Sequence, residues 1–140
     1  ISIGGNAYTE ALQKELNLSF EDADLVKRGV RVDGASVEDA DPIIRTVTEN
    51  LLLEIEKTFD FFKSTAASDR IDQLVVTGGA AGIDGFTQAF EAKFDLPVSA
   101  FDPFRQVTFD TRKFSEELRA ELVPTTAVAV GLALRRVDDR

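Results

Sequence analysis

Residues 71–101 constrain the fold more than any other part of the chain. An apolar run, Ile71 to Thr77 with Leu74, Val75 and Val76 consecutive, leads into Gly78-Gly79-Ala80-Ala81-Gly82. Phe86, Phe90 and Phe94 follow at every fourth position, the spacing of one helix face, and Pro97 to Phe101 supplies a second short apolar run. A strand apolar at consecutive positions is of the kind buried on both faces of a sheet. Two strands joined through a helix run parallel, with the helix packed on their sheet. The chain is therefore predicted to be α/β.

The flanking segments read as helices. Asn6 is a candidate N-cap for a first helix to about Leu16, with Ala7, Ala11 and Leu12 on one face. Ser19 and Asp22 have capping-box spacing and predict a second helix over Phe20 to Arg28, stopped by Gly29. Val30 to Ala40 reads as a short strand and a loop. Asp41-Pro42 predicts the start of a long third helix, whose series Ile43, Ile44, Val47, Leu51, Leu52, Ile55, Phe59 and Phe62 keeps helical spacing. After the polar break Ser64–Arg70 and the α/β unit, a charged helix is predicted from Thr111 or Ser115 to Leu122. Pro124 then opens a small-residue helix through Ala127-Val128-Ala129-Val130-Gly131-Leu132-Ala133-Leu134.

Composition removes several kinds of chemistry. The chain has no Cys and no His, which excludes disulfides, thiolate nucleophiles, Ser-His-Asp catalysis and Cys- or His-bearing zinc sites. Sixteen Lys and Arg stand against 25 Asp and Glu, a net charge of −9 that argues against nucleic acid or a direct grip on anionic lipid. No apolar stretch approaches the roughly 18 residues of a membrane helix, and no signal-peptide pattern opens the chain, so a cytoplasmic location is expected. Met is absent and position 1 is Ile, in what reads as a strand already under way; the chain is expected to be a piece cut from a longer protein.

Two constellations could carry chemistry. Glycines between a buried strand and a helix let backbone approach a ligand closely, and Gly78 to Gly82 offers this without P-loop or G-x-G-x-x-G spacing. Asp24 with Lys27 and Arg28 lies on one face of the second helix, an arrangement that elsewhere is commonly a surface ion pair. The acidic run Asp33, Glu38, Asp39 and Asp41 lacks calcium-loop spacing and reads as solvated, as does Glu116-Glu117.

In order, these pieces resemble the PilM family of type IV pilus assembly proteins, in the actin-like ATPase superfamily and related to FtsA. The resemblance covers nearly the whole chain. Its motifs are Ile3-Gly4-Gly5-Asn6-Ala7-Tyr8-Thr9-Glu10-Ala11-Leu12, Leu18 to Lys27, and Val75 to Phe86. Leu96-Pro97-Val98, Asp102-Pro103-Phe104 and Ala127 to Arg135 complete it. The last two segments point to PilM, whereas the others are generic to actin-like folds.

The resemblance implies an actin-like (ribonuclease H-like) second lobe, a mixed sheet flanked by helices with a small inserted helical subdomain. Residues 1–140 would form a single fragment. Within it, 17–65 would be the small subdomain and long helix, 1–16 and 66–122 the sheet-bearing core, and 124–136 a helix linking to a first lobe absent here. It implies ATP or ADP, with magnesium in the intact protein, in a cleft between two lobes. Gly78, Gly79 and Ala80 would lie against the nucleotide, and Asp24, Lys27 and Arg28 around adenine and ribose. Asp24 stands where Glu is usual, with one methylene less reach.

The phosphate-binding hairpins and first connecting helix of such families precede the Ile3-Gly4-Gly5 passage and are not in this chain. Tight nucleotide binding and ATP turnover are accordingly not expected of it, so it is not read as an enzyme. The implied role is a scaffold recruiting the cytoplasmic tail of the membrane protein PilN, mainly through the missing lobe, at the inner face of the bacterial membrane. Alternatives of the same superfamily are an FtsA-like division protein and a kinase or chaperone ATPase fragment. A further alternative is an interaction domain that has lost the nucleotide. The exposed apolar sides of such a piece imply self-association.

Overall fold

The computed structural model of the chain describes residues 3–66, 70–108, 110 and 112–135. The order is α1 (Gly5–Leu16), α2 (Phe20–Lys27), α3 (Val37–Thr65), β1 (Leu74–Val76), a 3₁₀ turn (Gly79–Gly82), α4 (Phe86–Phe94), β2 (Val98–Ala100), α5 (Glu116–Leu122) and α6 (Ala127–Leu134). β1 and β2 pair in parallel, with Leu74 opposite Val98 and Val76 opposite Ala100. This is the arrangement predicted from the apolar runs on either side of the Phe helix. The pair is parallel rather than mixed among the described residues, and most of the expected strand Ile1–Ile3 lies outside them.

Three boundaries differ from the sequence reading. α1 is capped by Gly4 rather than Asn6, and the Ala7 N–H reaches the Gly4 carbonyl at 3.0 Å. α3 begins at Val37, not at Asp41-Pro42. Ser36 accepts from the Asp39 N–H at 3.3 Å while the Asp39 carboxylate accepts from the Ser36 N–H at 2.9 Å, a reciprocal capping box. Ala40, fully buried, anchors that first turn, so Pro42 lies inside the helix. A cap of this kind contributes about 1 kcal/mol and, with the buried turn, offsets the backbone hydrogen bond that Pro42 removes. Asp39 is thus a capping residue as well as an exposed carboxylate.

α6 starts at Ala127, after Leu122–Thr125 has turned the chain, rather than at Pro124. Between α2 and α3 the expected short strand is a single antiparallel bridge, Val32 to Ala35. α5 starts after Ser115, whose hydroxyl accepts from the Leu118 N–H at 3.2 Å.

Two apolar clusters hold the fold. The larger joins Tyr8, Leu51, Leu52, Ile83, Phe86 and Phe90, placing α4 against α3 on one side of the strands. The Phe stripe of α4 is core, as its spacing implies: ring centroids of Phe86 and Phe90 are 4.6 Å apart, and Phe94 packs at a tilt against Phe59 at 4.8 Å. Burying each such side chain stabilises by about 1.5–3 kcal/mol. Tyr8 adds a polar link. Thr48 donates its one proton to the Ile44 carbonyl at 2.9 Å, so Tyr8 Oη donates to Thr48 across 3.1 Å.

The second cluster, Leu12, Ala23, Val26, Ala35 and Ala40, seats α2 on α1 and the start of α3. The sheet differs from expectation in one respect. Val75 is 52% exposed, so β1 is covered on one face only. α6 has no buried residue, and Val128, Leu132 and Leu134 are exposed.

Candidate functional site

α2 presents Asp24, Lys27 and Arg28 because its start is fixed: Ser19 Oγ accepts from the Asp22 N–H at 3.0 Å. The three do not form the ordinary surface pair that their spacing suggests. Lys27 is only 9% exposed, and its Nζ donates to Thr9 Oγ1 at 2.8 Å and to Asp24 Oδ1 at 2.5 Å. A buried ammonium needs such partners, since desolvation otherwise costs several kcal/mol. Thr9 is fully buried on α1, so Lys27 ties the two helices together.

The other Asp24 oxygen, Oδ2, lies 2.6 Å from Arg28 Nη2. The hydrogen bond from Lys27, followed by the charges of Lys27 and Arg28, holds the Asp24 carboxyl below the usual carboxylate range against the opposing effect of burial.

Opposite α2 stand the glycine turn and α5. A cleft of about 410 Å³ is lined by Asp24, Lys27 and Arg28 on one side, Gly79, Gly82 and Ile83 beneath, and Glu121 and Pro124 beyond. Gly78 has φ 101° and ψ 169°, a conformation open essentially to glycine alone. That conformation accompanies its N–H donation to the Pro124 carbonyl at 2.7 Å. α5 is further tethered by Arg119 Nη2 to Asp102 Oδ2 at 2.8 Å, and Arg28 Nη1 approaches Glu121 Oε1 to 3.9 Å across the cleft.

Of the six residues singled out from sequence, Asp24, Lys27, Arg28 and Gly79 thus meet around one cleft. Gly78 and Ala80 do not line it. Both face a hollow of about 400 Å³ on the other side of the turn, among Ile3, Leu51 and Phe90. Sequence reasoning did not single out Thr9, Glu121 or Pro124 as site residues. Thr9 carries a signal within the Ile3–Leu12 passage, but its link to Lys27 spans 18 positions and is tertiary. Among the described residues no group of three or more acidic side chains could hold a metal ion.

The cleft has alternating charges on one wall, open backbone at its floor and apolar lining from Ile83, Leu122 and Pro124. It suits a flat, partly polar ligand with hydroxyl or amine groups better than a bare polyphosphate, because both cations are already paired to Asp24.

A family model described as type IV pilus assembly protein PilM matches residues 1–137. Among solved structures, a PilM-PilN type IV pilus biogenesis complex contains a similar chain, with a TM-score of 0.79 and 26% identity. The similarity covers 96% of this chain and 37% of that one, so the chain spans little more than a third of its solved relative.

Proposed function

The chain belongs to the PilM family of type IV pilus assembly proteins, and on that premise we propose that it serves type IV pilus biogenesis as one lobe of a nucleotide-binding, actin-like scaffold. The observation that carries the nucleotide reading is the convergence of Asp24, Lys27, Arg28 and Gly79 on one cleft. These residues come from two passages of the chain and match the superfamily's adenosine side. ATP or ADP is the ligand this reading assigns, with magnesium accompanying the phosphates in the larger protein. Phosphoryl transfer depends on positioning and electrostatic stabilisation of those phosphates. This chain lacks the motifs that would supply both, so we assign it nucleotide binding without turnover.

The partner this reading assigns is a PilN-like membrane protein, and the presence of a similar chain in a PilM-PilN complex supports it. Its cytoplasmic tail would dock mainly on the part of the protein that this chain does not contain. Among the described residues no helix is long and apolar enough to cross a membrane, so membrane contact is assigned to the partner. The apolar surface of α6 is read as the link to the absent lobe, and self-association of this chain follows when that surface stays uncovered. The matched family favours this reading over an FtsA-like protein, a kinase or a chaperone ATPase.

Anisotropy of a fluorescent ATP analogue, titrated with this chain, tests the reading. Weak saturable binding is expected, and Arg28→Ala, at a half-exposed position, should weaken it about tenfold while leaving the fold intact. Equal binding by both proteins would remove Arg28 from the site.

A further inference from the structure

We infer that Glu121 is a specificity-determining residue of this cleft, accepting a hydrogen bond from a neutral donor on the bound nucleotide: its exocyclic amine or a ribose hydroxyl. The inference rests on the nucleotide reading above and deepens it.

Asp24 is the carboxylate that the family resemblance places at the ligand. Both of its oxygens are engaged by cations, Oδ1 by Lys27 at 2.5 Å and Oδ2 by Arg28 at 2.6 Å. A ligand hydroxyl would have to compete with two charge-assisted contacts there. Lys27 is likewise committed, to Thr9 and Asp24.

Glu121 is the other carboxylate on the cleft wall, and it is far less engaged. Among the described residues its one ionic neighbour is Arg28 at 3.9 Å, beyond hydrogen-bond reach, and its side chain is 67% exposed. It occupies the last turn of α5, next to the terminal Leu122, where the helix dipole disfavours an acidic side chain. Its position therefore gains nothing from the helix, and among the described residues the long Arg28 contact is its one tertiary ion pair. What the position does provide is a carboxylate facing Asp24 and Arg28 across a cleft of about 410 Å³. An ionised carboxylate only accepts hydrogen bonds. Its complement on a nucleotide is an N–H or O–H group, and it repels phosphate. Glu121 thus selects the orientation that keeps the phosphates away from α5.

The test crosses one protein change with several ligand changes. Wild type and Glu121→Ala are titrated by calorimetry with ATP and inosine triphosphate, in which an oxo group replaces the exocyclic amine. The two deoxy-ATPs lacking one ribose hydroxyl each complete the series. Wild type should bind ATP about tenfold more tightly than the analogue that lacks the donor, and Glu121→Ala should erase that difference. The analogue that loses its penalty identifies the donor as amine or hydroxyl. If Glu121→Ala weakens all four nucleotides equally, or none of them, Glu121 does not read the ligand and the inference fails. If wild type binds none of the four, the nucleotide reading itself is overturned and this one with it.

Discussion

Phe90→Ala should lower the unfolding free energy by about 3–5 kcal/mol, the range for deleting an aromatic ring from a packed core. Phe90 is 3% exposed and has Phe86 and Phe94 as ring neighbours, at 4.6 and 6.0 Å. Its cluster includes Leu51 and Leu52 of α3 and Tyr8 of α1, so truncation opens a cavity where three helices meet. Urea unfolding followed by far-UV circular dichroism measures the loss. Phe61→Ala is the matched control: Phe61 is 69% exposed, and its truncation should change stability by less than about 0.5 kcal/mol. Similar small effects at both positions would mean that α4 does not pack on α3 as described.

Lys27→Ala is expected to cost about 2–3 kcal/mol, less than the full penalty for breaking a buried ion pair because Asp24 remains partly in contact with water. The change removes the donor to the fully buried Thr9 hydroxyl and leaves Asp24 with Arg28 alone. A pH signature separates this from simple loss of volume. Asp24 has a folded-state pKa lowered first by the hydrogen bond from Lys27. A carboxylate lowered in this way contributes stability that is present above its unfolded value, about 3.9, and lost as pH falls through the folded value. Wild type should therefore lose stability on acidification through that window, and Lys27→Ala should lose less, giving a shallower slope. Equal slopes would show that Lys27 does not govern the Asp24 carboxyl. Lys27→Met, which keeps the length without the charge, then distinguishes the ammonium from its stem.

What the sequence made legible is what local signals encode. The Phe86-Phe90-Phe94 stripe, the apolar runs on either side of it and the intervening glycines fixed α4, its two strands and their parallel pairing. The errors arose where two local signals competed or where the outcome depended on distant chain. Asp41-Pro42 is a good helix start, but Ser36 and Asp39 form a complete reciprocal cap one turn earlier, and a buried Ala40 holds it. The exposure of Val75 depends on what covers β1, which no property of Leu74-Val75-Val76 specifies.

The site divides along the same line. The face of α2 could be read from the spacing of Asp24, Lys27 and Arg28. The burial of Lys27 could not, because it is created by Thr9 on another helix. Nor could the far wall, since Glu121 and Pro124 are held at the cleft by tertiary contacts, the tether of Arg119 to Asp102 and the bond from Gly78 to Pro124.

The hydrogen bond from Gly78 to Pro124 joins the glycine turn, one residue before the cleft floor begins at Gly79, to the approach to α6. Pro124 lines the cleft and stands three residues before the first residue of α6, so the wall against which a ligand would rest is also the entry to that helix. Thermodynamic linkage makes any coupling between the two reciprocal. If a partner that fixes the direction of α6 changes affinity in the cleft by some factor, a cleft occupant must change the affinity for that partner by the same factor. One backbone bond thereby places the strand-to-helix connection and the entry to α6 in direct contact.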